Sequence, residues 1–268
     1  MADTMRAERF YADTKTVALE DVPIPEPGPG EVLVKTRQAS DALGATRMDR
    51  PEWLAVDQRA GWTYCSLTNN SNRGGANQPA VDAANPRAYT DAPTAASAPG
   101  NINGHILRMK EAGGESGATG FTWDVYLFGA QSDASASLVN LSALTADQDF
   151  SSPDGLWFSP RTGLCFIQTD DGAYTDATNC MMLVGVPGQV GDGTTTTLSY
   201  TKADGSKLDV TTRVGAKPAA DKLRRFLVGP KDCEITGITE TPDGRTVFVN
   251  IQHPGEDANF DAPSTRWP

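Results

Sequence analysis

Three segments of the chain repeat one pattern: PEWLAVDQRAGWTYCSLTNN from Pro51, PDGLWFSPRTGLCFIQTDDG from Pro153 and CEITGITETPDGRTVFVNIQHPG from Cys233. Each contains an acid, a strand-like run, a Gly-bearing turn, a second run and a polar tip. The acids are Glu52, Asp154 and Glu234, and the turn glycines Gly61, Gly163 and Gly244 follow them at nine, nine and ten residues.

The rest of the chain has the same texture. HILRMKE, FTWDVYLFG, CMMLVGVP, TTLSYTK and RFLVGP are short, rich in β-branched or aromatic residues, and bounded by Gly, Pro, Asn or Asp. The expected fold class is all-β, with short helical pieces only near TRQASDALGA and AADKLRRF. Long polar passages, above all NNSNRGGANQPAVDAANPRAYTDAPTAASAPGNING, read as functional loops.

Blades of a β-propeller begin near a central channel, so an acid at the start of each innermost strand points toward a common axis. Three carboxylates converging there suit a hard cation such as calcium, which takes several oxygen ligands. A plainer reading stands beside this one. Asp in SPDG and TPDG is ordinary turn chemistry, which accounts for Asp243 and is open to Asp154 as well. Glu has no comparable turn role, so Glu52 and Glu234 favour the metal reading.

The net charge of −11 removes the electrostatic footprint expected of a nucleic-acid-binding protein. No apolar run approaches a membrane span, and the start MADTMRAERF lacks the regions of a secretory signal, which makes the chain cytoplasmic as written. Cys65, Cys165, Cys180 and Cys233 have no metal-site spacing and read as buried thiols. His105 and His253 have no serine in a GxSxG elbow to serve, which argues against triad hydrolysis.

GATRMDRPEW, LTNNSNR, ANPR, NINGHILRMKE, FTWDVYLFG, SPDGLWF, CFIQTDDG and RRFLVGPKDCEITGITETPDGRTVFVNIQHPGE resemble the C-terminal part of the PhoX family of alkaline phosphatases. The resemblance runs from about Ala39 to the end. It implies a partial β-propeller over residues 39–268 whose site holds iron and calcium and hydrolyses phosphate monoesters. It also implies that Arg50 contacts the substrate phosphate through its bidentate fork and that Glu52 is a metal ligand. Asp154 and Glu234 join as ligands by their repeat positions. Arg47 and Asp49 read as exposed or structural, and Asn69, Asn70, Asp170 and His253 as loop-tip residues with either a backbone-bonding or a site role. The family is typically exported to the periplasm, and its earlier blades carry further ligands, including a cysteine. None of the four cysteines here is assigned to iron.

Residues 5–36, with PIPEPGPGEVLVK, resemble instead the opening strands of the zinc-type medium-chain alcohol dehydrogenases. The zinc-ligand Cys and the GxGxxG segment of those enzymes do not follow. The expectation is a foreign leader, residues 1–38, fused with a junction around Lys35 to Ala42. Open propeller edges predict self-association. Two further readings remain: a catalytically inactive calcium-binding fragment or interaction module, and a lactonase-like calcium propeller.

Overall fold

The computed structural model describes residues 4–11, 13–24, 43–90, 100–115, 117–170, 178–202 and 204–267. Among these residues the regular structure is all β, fourteen strands with one short 3-10 turn at Ala112–Gly114. The chain divides into a short unit, Met1–Thr46, and a main unit, Arg47–Pro268. In the first, β1 (Thr4–Tyr11) and β2 (Thr16–Pro23) form an antiparallel hairpin with Tyr11 opposite Thr16. The proposed junction between Lys35 and Ala42 lies outside the described residues.

The main unit is built from successive meanders. The first runs through β3 (Pro51–Asp57), β4 (Trp62–Leu67), β5 (His105–Glu111) and β6 (Phe121–Phe128), each antiparallel to the next. The second comprises β7 (Pro153–Phe158), β8 (Cys165–Thr169), β9 (Met181–Gly185) and, after a hairpin excursion, β12 (Leu223–Val228). That excursion, β10 (Thr194–Thr201) and β11 (Lys207–Val214), joins the first sheet where Val214 bridges Val125 in parallel. A third hairpin pairs β13 (Glu234–Glu240) with β14 (Val247–Gln252).

The sheets lie face to face. Tyr64, Ile106 and Tyr126 of the first meet Leu156, Phe158, Ile167 and Leu183 of the second. The opposite face of the second sheet, with Phe166 and Met182, packs on Ile235, Ile238, Val249 and Ile251 of the third. Because successive side chains on a strand point to opposite faces, β8 contributes Cys165 and Ile167 to one layer and Phe166 to the other, and the whole strand is buried. This stacking brings the first strands of the three hairpins together, β7 packing against both β3 and β13.

AADKLRRF does not form a helix: residues 219–222 make a turn, and Leu223 opens β12. Its alternation of buried Leu223 with exposed Arg224 matches a period of two, and pairing with β9 overrides the local helix propensity. TRQASDALGA lies largely outside the described residues.

Burial also settles His105, which is fully buried. Its Nε2 is 2.7 Å from the Ala84 carbonyl and its Nδ1 is 2.9 Å from Asn101 Nδ2. The carbonyl can only accept, so Nε2 carries the proton and Nδ1 accepts from the amide. Burial first, then the charges of Arg87 and Arg73, lower this imidazole to about 3. A depressed value means that folding favours the neutral ring, so its contribution is present above 6.5 and is lost as pH falls. We expect a loss of about 1.4 kcal/mol per pH unit below 6.5 from this residue. A ring NMR signal that keeps the neutral Nε2–H pattern down to pH 4 would agree; titration near 6.5 would not.

Candidate functional site

The three hairpins share more than their acids. A non-glycine residue in the left-handed region stands two positions before each acid: Arg50 (φ 47°) before Glu52, Ser152 (φ 48°) before Asp154 and Asp232 (φ 52°) before Glu234. Each hairpin then carries a register shift close to its acid, between Pro51 and Leu54, between Pro153 and Leu156, and between Ile235 and Gly237. Bulges re-aim side chains at the ends of strands. The hairpin turns match as well: Gly61, Gly163 and Gly244 all have φ between 66° and 75°, where a Cβ is unfavourable.

The sharp entry into β3 rests on a buried polar anchor. Asp49, fully buried, receives Arg73 Nε at 2.7 Å, Asn70 Nδ2 at 2.8 Å and Asn101 Nδ2 at 3.0 Å. Asn85 Oδ1 accepts the Asp49 N–H at 3.0 Å. Asp49 is therefore structural and not exposed, and Asn70 serves the same anchor. The next peptide is held by Thr68 N–H donating to the Arg50 carbonyl at 3.1 Å, and Asp170 N–H makes the equivalent bond to Ser152 at 3.1 Å. The Ser66 hydroxyl, 2.5 Å from the Asp154 carbonyl, links the first hairpin to the second.

Here Asp154, Asp170 and Glu234 converge, one carboxylate oxygen from each lying within 4.8 Å of the others. Arg50 Nε donates to Glu52 Oε1 at 2.7 Å, and its Nη2 is 3.7 Å from Asp170 Oδ2. Burial pushes the Asp154 carboxyl up to about 6, helped by Glu52 and Asp170 and opposed by Arg50. Burial, Asp170 and Asp154 likewise raise Glu234, against the effect of His253. Burial and mutual repulsion make these crowded acids resist ionisation, and an all-oxygen donor set is the kind that hard cations select.

The structure thus gathers Arg50, Glu52, Asp154 and Glu234 in one place, with Glu52 bound to Arg50 and outside the three-carboxylate cluster. It adds Asp170 and His253, loop-tip residues for which sequence left both a backbone-bonding and a site role open. Asp154 lies in β7 within the cluster, whereas Asp243 is a turn residue, accepting from Thr241 Oγ1 at 2.6 Å and from Arg245 N–H at 3.1 Å. Cys165, Cys180 and Cys233 are buried in apolar clusters, and burial raises the Cys65, Cys165 and Cys233 thiols.

Fold and site together define an all-β protein of repeated hairpins that assembles acids and an arginine at its strand entrances. The chain belongs to the PhoX alkaline phosphatase family: the description "Alkaline phosphatase PhoX" matches residues 4–255. That match runs through the segment 5–36 set apart above. A solved structure, Pseudomonas fluorescens PhoX in complex with vanadate, a transition state analogue, is similar at 33% identity with a TM-score of 0.60. The similarity covers 83% of this chain and 32% of that one, so the chain spans about a third of the length of this relative. No curated protein matches.

Proposed function

We propose that the main unit is part of a β-propeller and that its carboxylate cluster belongs to a metal-dependent phosphomonoesterase centre. The observation that carries this reading is the convergence of Asp154, Asp170 and Glu234 beside Arg50 in a PhoX-family chain. Three hard oxygen donors within reach of one another fit calcium, with Asp154 and Glu234 as ligands and Asp170 completing the set. Glu52, hydrogen-bonded to Arg50, is close enough to raise the Asp154 carboxyl and would be a further oxygen donor at the edge of the set. Iron, which the family resemblance also implies, is assigned no residue. A bound cation would supply charge neutralisation at phosphoryl oxygens.

Arg50 is half exposed, which leaves its guanidinium open to a ligand. Its Nε is bonded to Glu52 and its Nη2 lies 3.7 Å from Asp170 Oδ2, so the planar fork sits beside the cluster, and such a fork can recognise a phosphate bidentately. Self-association belongs to this reading too, since β14 pairs only with β13 among the described residues and Phe248 on that strand is exposed.

Hydrolysis of a chromogenic phosphate monoester by the purified chain tests the reading. Arg50→Ala is expected to lower kcat by about 100-fold or more, the magnitude typical of losing one donor to developing negative charge. Glu52→Gln is expected to lower activity and bound metal together. Activity unchanged by both substitutions would contradict the assignment. The same three-carboxylate cluster also fits a second reading, calcium binding without catalysis. Stoichiometric calcium with no phosphatase activity would select it.

A further inference from the structure

The turn after β14 folds back onto the loop before β13. Gly255 N–H donates to Asp232 O at 2.8 Å and to Lys231 O at 3.1 Å, and Glu256 N–H to His253 O at 3.1 Å. Glu234, the first residue of β13, pairs with Gln252, the last of β14, so the next residue, His253, arrives beside Glu234. His253 adopts φ 39°, a conformation that costs free energy in a residue other than glycine and tends to persist where surrounding contacts enforce it. Its imidazole stands between two carboxylates, Nε2 at 3.6 Å from Glu234 Oε2 and Nδ1 at 3.0 Å from Glu256 Oε2.

We propose that His253 is a positioning residue that braces Glu234 into the carboxylate cluster, with Glu256 close to the far side of the ring. The proposal rests on the cation reading given above. Carboxylates that bind metal are themselves commonly held by outer partners, and losing such a partner costs about 10–100-fold in affinity. Glu234 is the acid that needs such a brace: it comes from the third hairpin, a two-stranded sheet, whereas Asp154 lies within β7 and Asp170 directly after β8 of a four-stranded one. The cluster closes only if the third hairpin delivers its carboxylate at the right angle.

Calcium titration of the full chain by calorimetry, with calcium alone as the probe, tests this. His253→Gly removes the ring while accepting the left-handed backbone, and is expected to weaken calcium binding by about 10–100-fold. His253→Gln, whose amide reaches where Nε2 stood, is expected to restore most of the affinity, a rescue that a merely structural role does not produce. His253→Asn tolerates the same backbone but stops short of Glu234; it is expected to behave like the Gly variant and replaces it if that variant fails to fold. Wild-type affinity in the Gly or Asn variant, with calcium binding still abolished by Asp154→Asn, would overturn the brace and leave the cation reading standing. Equal weakening by Gln and Gly would also overturn it. No calcium binding by the wild type would overturn the cation reading, and the brace with it.

Discussion

Replacing Arg108 with Ala is expected to lower the unfolding free energy by about 3–5 kcal/mol, the usual consequence of removing one partner from a buried ion pair. Arg108 lies on β5, and both its side chain and that of Asp124 are 1% exposed. Its Nε and Nη2 donate to the two oxygens of Asp124 at 2.6 and 3.0 Å, while Nη2 also reaches Asp192 Oδ1 at 2.7 Å and Nη1 donates to the Pro187 carbonyl. Asp124 Oδ2 in turn accepts the Gly191 N–H at 2.7 Å. One guanidinium therefore ties the connection after β9, in the second sheet, to the middle of the first. Its removal leaves Asp124 as a buried anion with a single backbone donor. Lys at this position keeps a charge but loses the planar fork, and a smaller deficit is expected. Arg108→Met with Asp124→Leu removes both charges and is expected to be far less destabilising than Arg108→Ala. Urea midpoints of the three variants check this ordering, and an Arg108→Ala variant no worse than the double or the Lys variant would contradict it.

Asp154→Asn is expected to act in opposite directions with and without metal. In chelator, the wild-type carboxyl is raised to about 6, so folding favours its protonated form. The stability it contributes is full below the ordinary Asp value near 4 and is lost as pH rises through about 6. The variant, which never ionises, should therefore unfold at a higher temperature than wild type at pH 7–8, and the two curves should converge near pH 4. Half-exposure of the cluster keeps this gain modest. With calcium the order reverses, because the variant has lost a charged ligand. Equilibrium dialysis should find calcium on the wild type and little or none on the variant. Parallel pH curves together with unchanged calcium content would contradict both halves of the expectation.

The acids and turn glycines of the repeat are legible in sequence because side-chain chemistry alone marks them. Most strands are legible for a similar reason: β5 matches HILRMKE residue for residue, since apolar runs between turn formers leave little choice. What sequence did not disclose is backbone. Nothing in Arg50, Ser152 or Asp232 announces a positive φ, which is imposed by anchors such as Asp49 with Arg73, residues far apart along the chain. Asp170 and His253 enter the site through strand register, a tertiary property; sequence places them only at the ends of second strands. The buried Arg73, Arg87 and Arg108 have the composition of a surface and were invisible for that reason.

If the carboxylate cluster is a cation site in the folded chain, calcium must stabilise that chain. Thermal unfolding of the purified wild-type chain, in chelator and again in excess calcium, tests it most directly. A ligand that binds only the native state must stabilise it, by about 4 kcal/mol when present at a thousand times its Kd. A cooperative transition is expected that moves to higher temperature with calcium and does not move in Asp154→Asn. An identical transition in chelator and in calcium would contradict it.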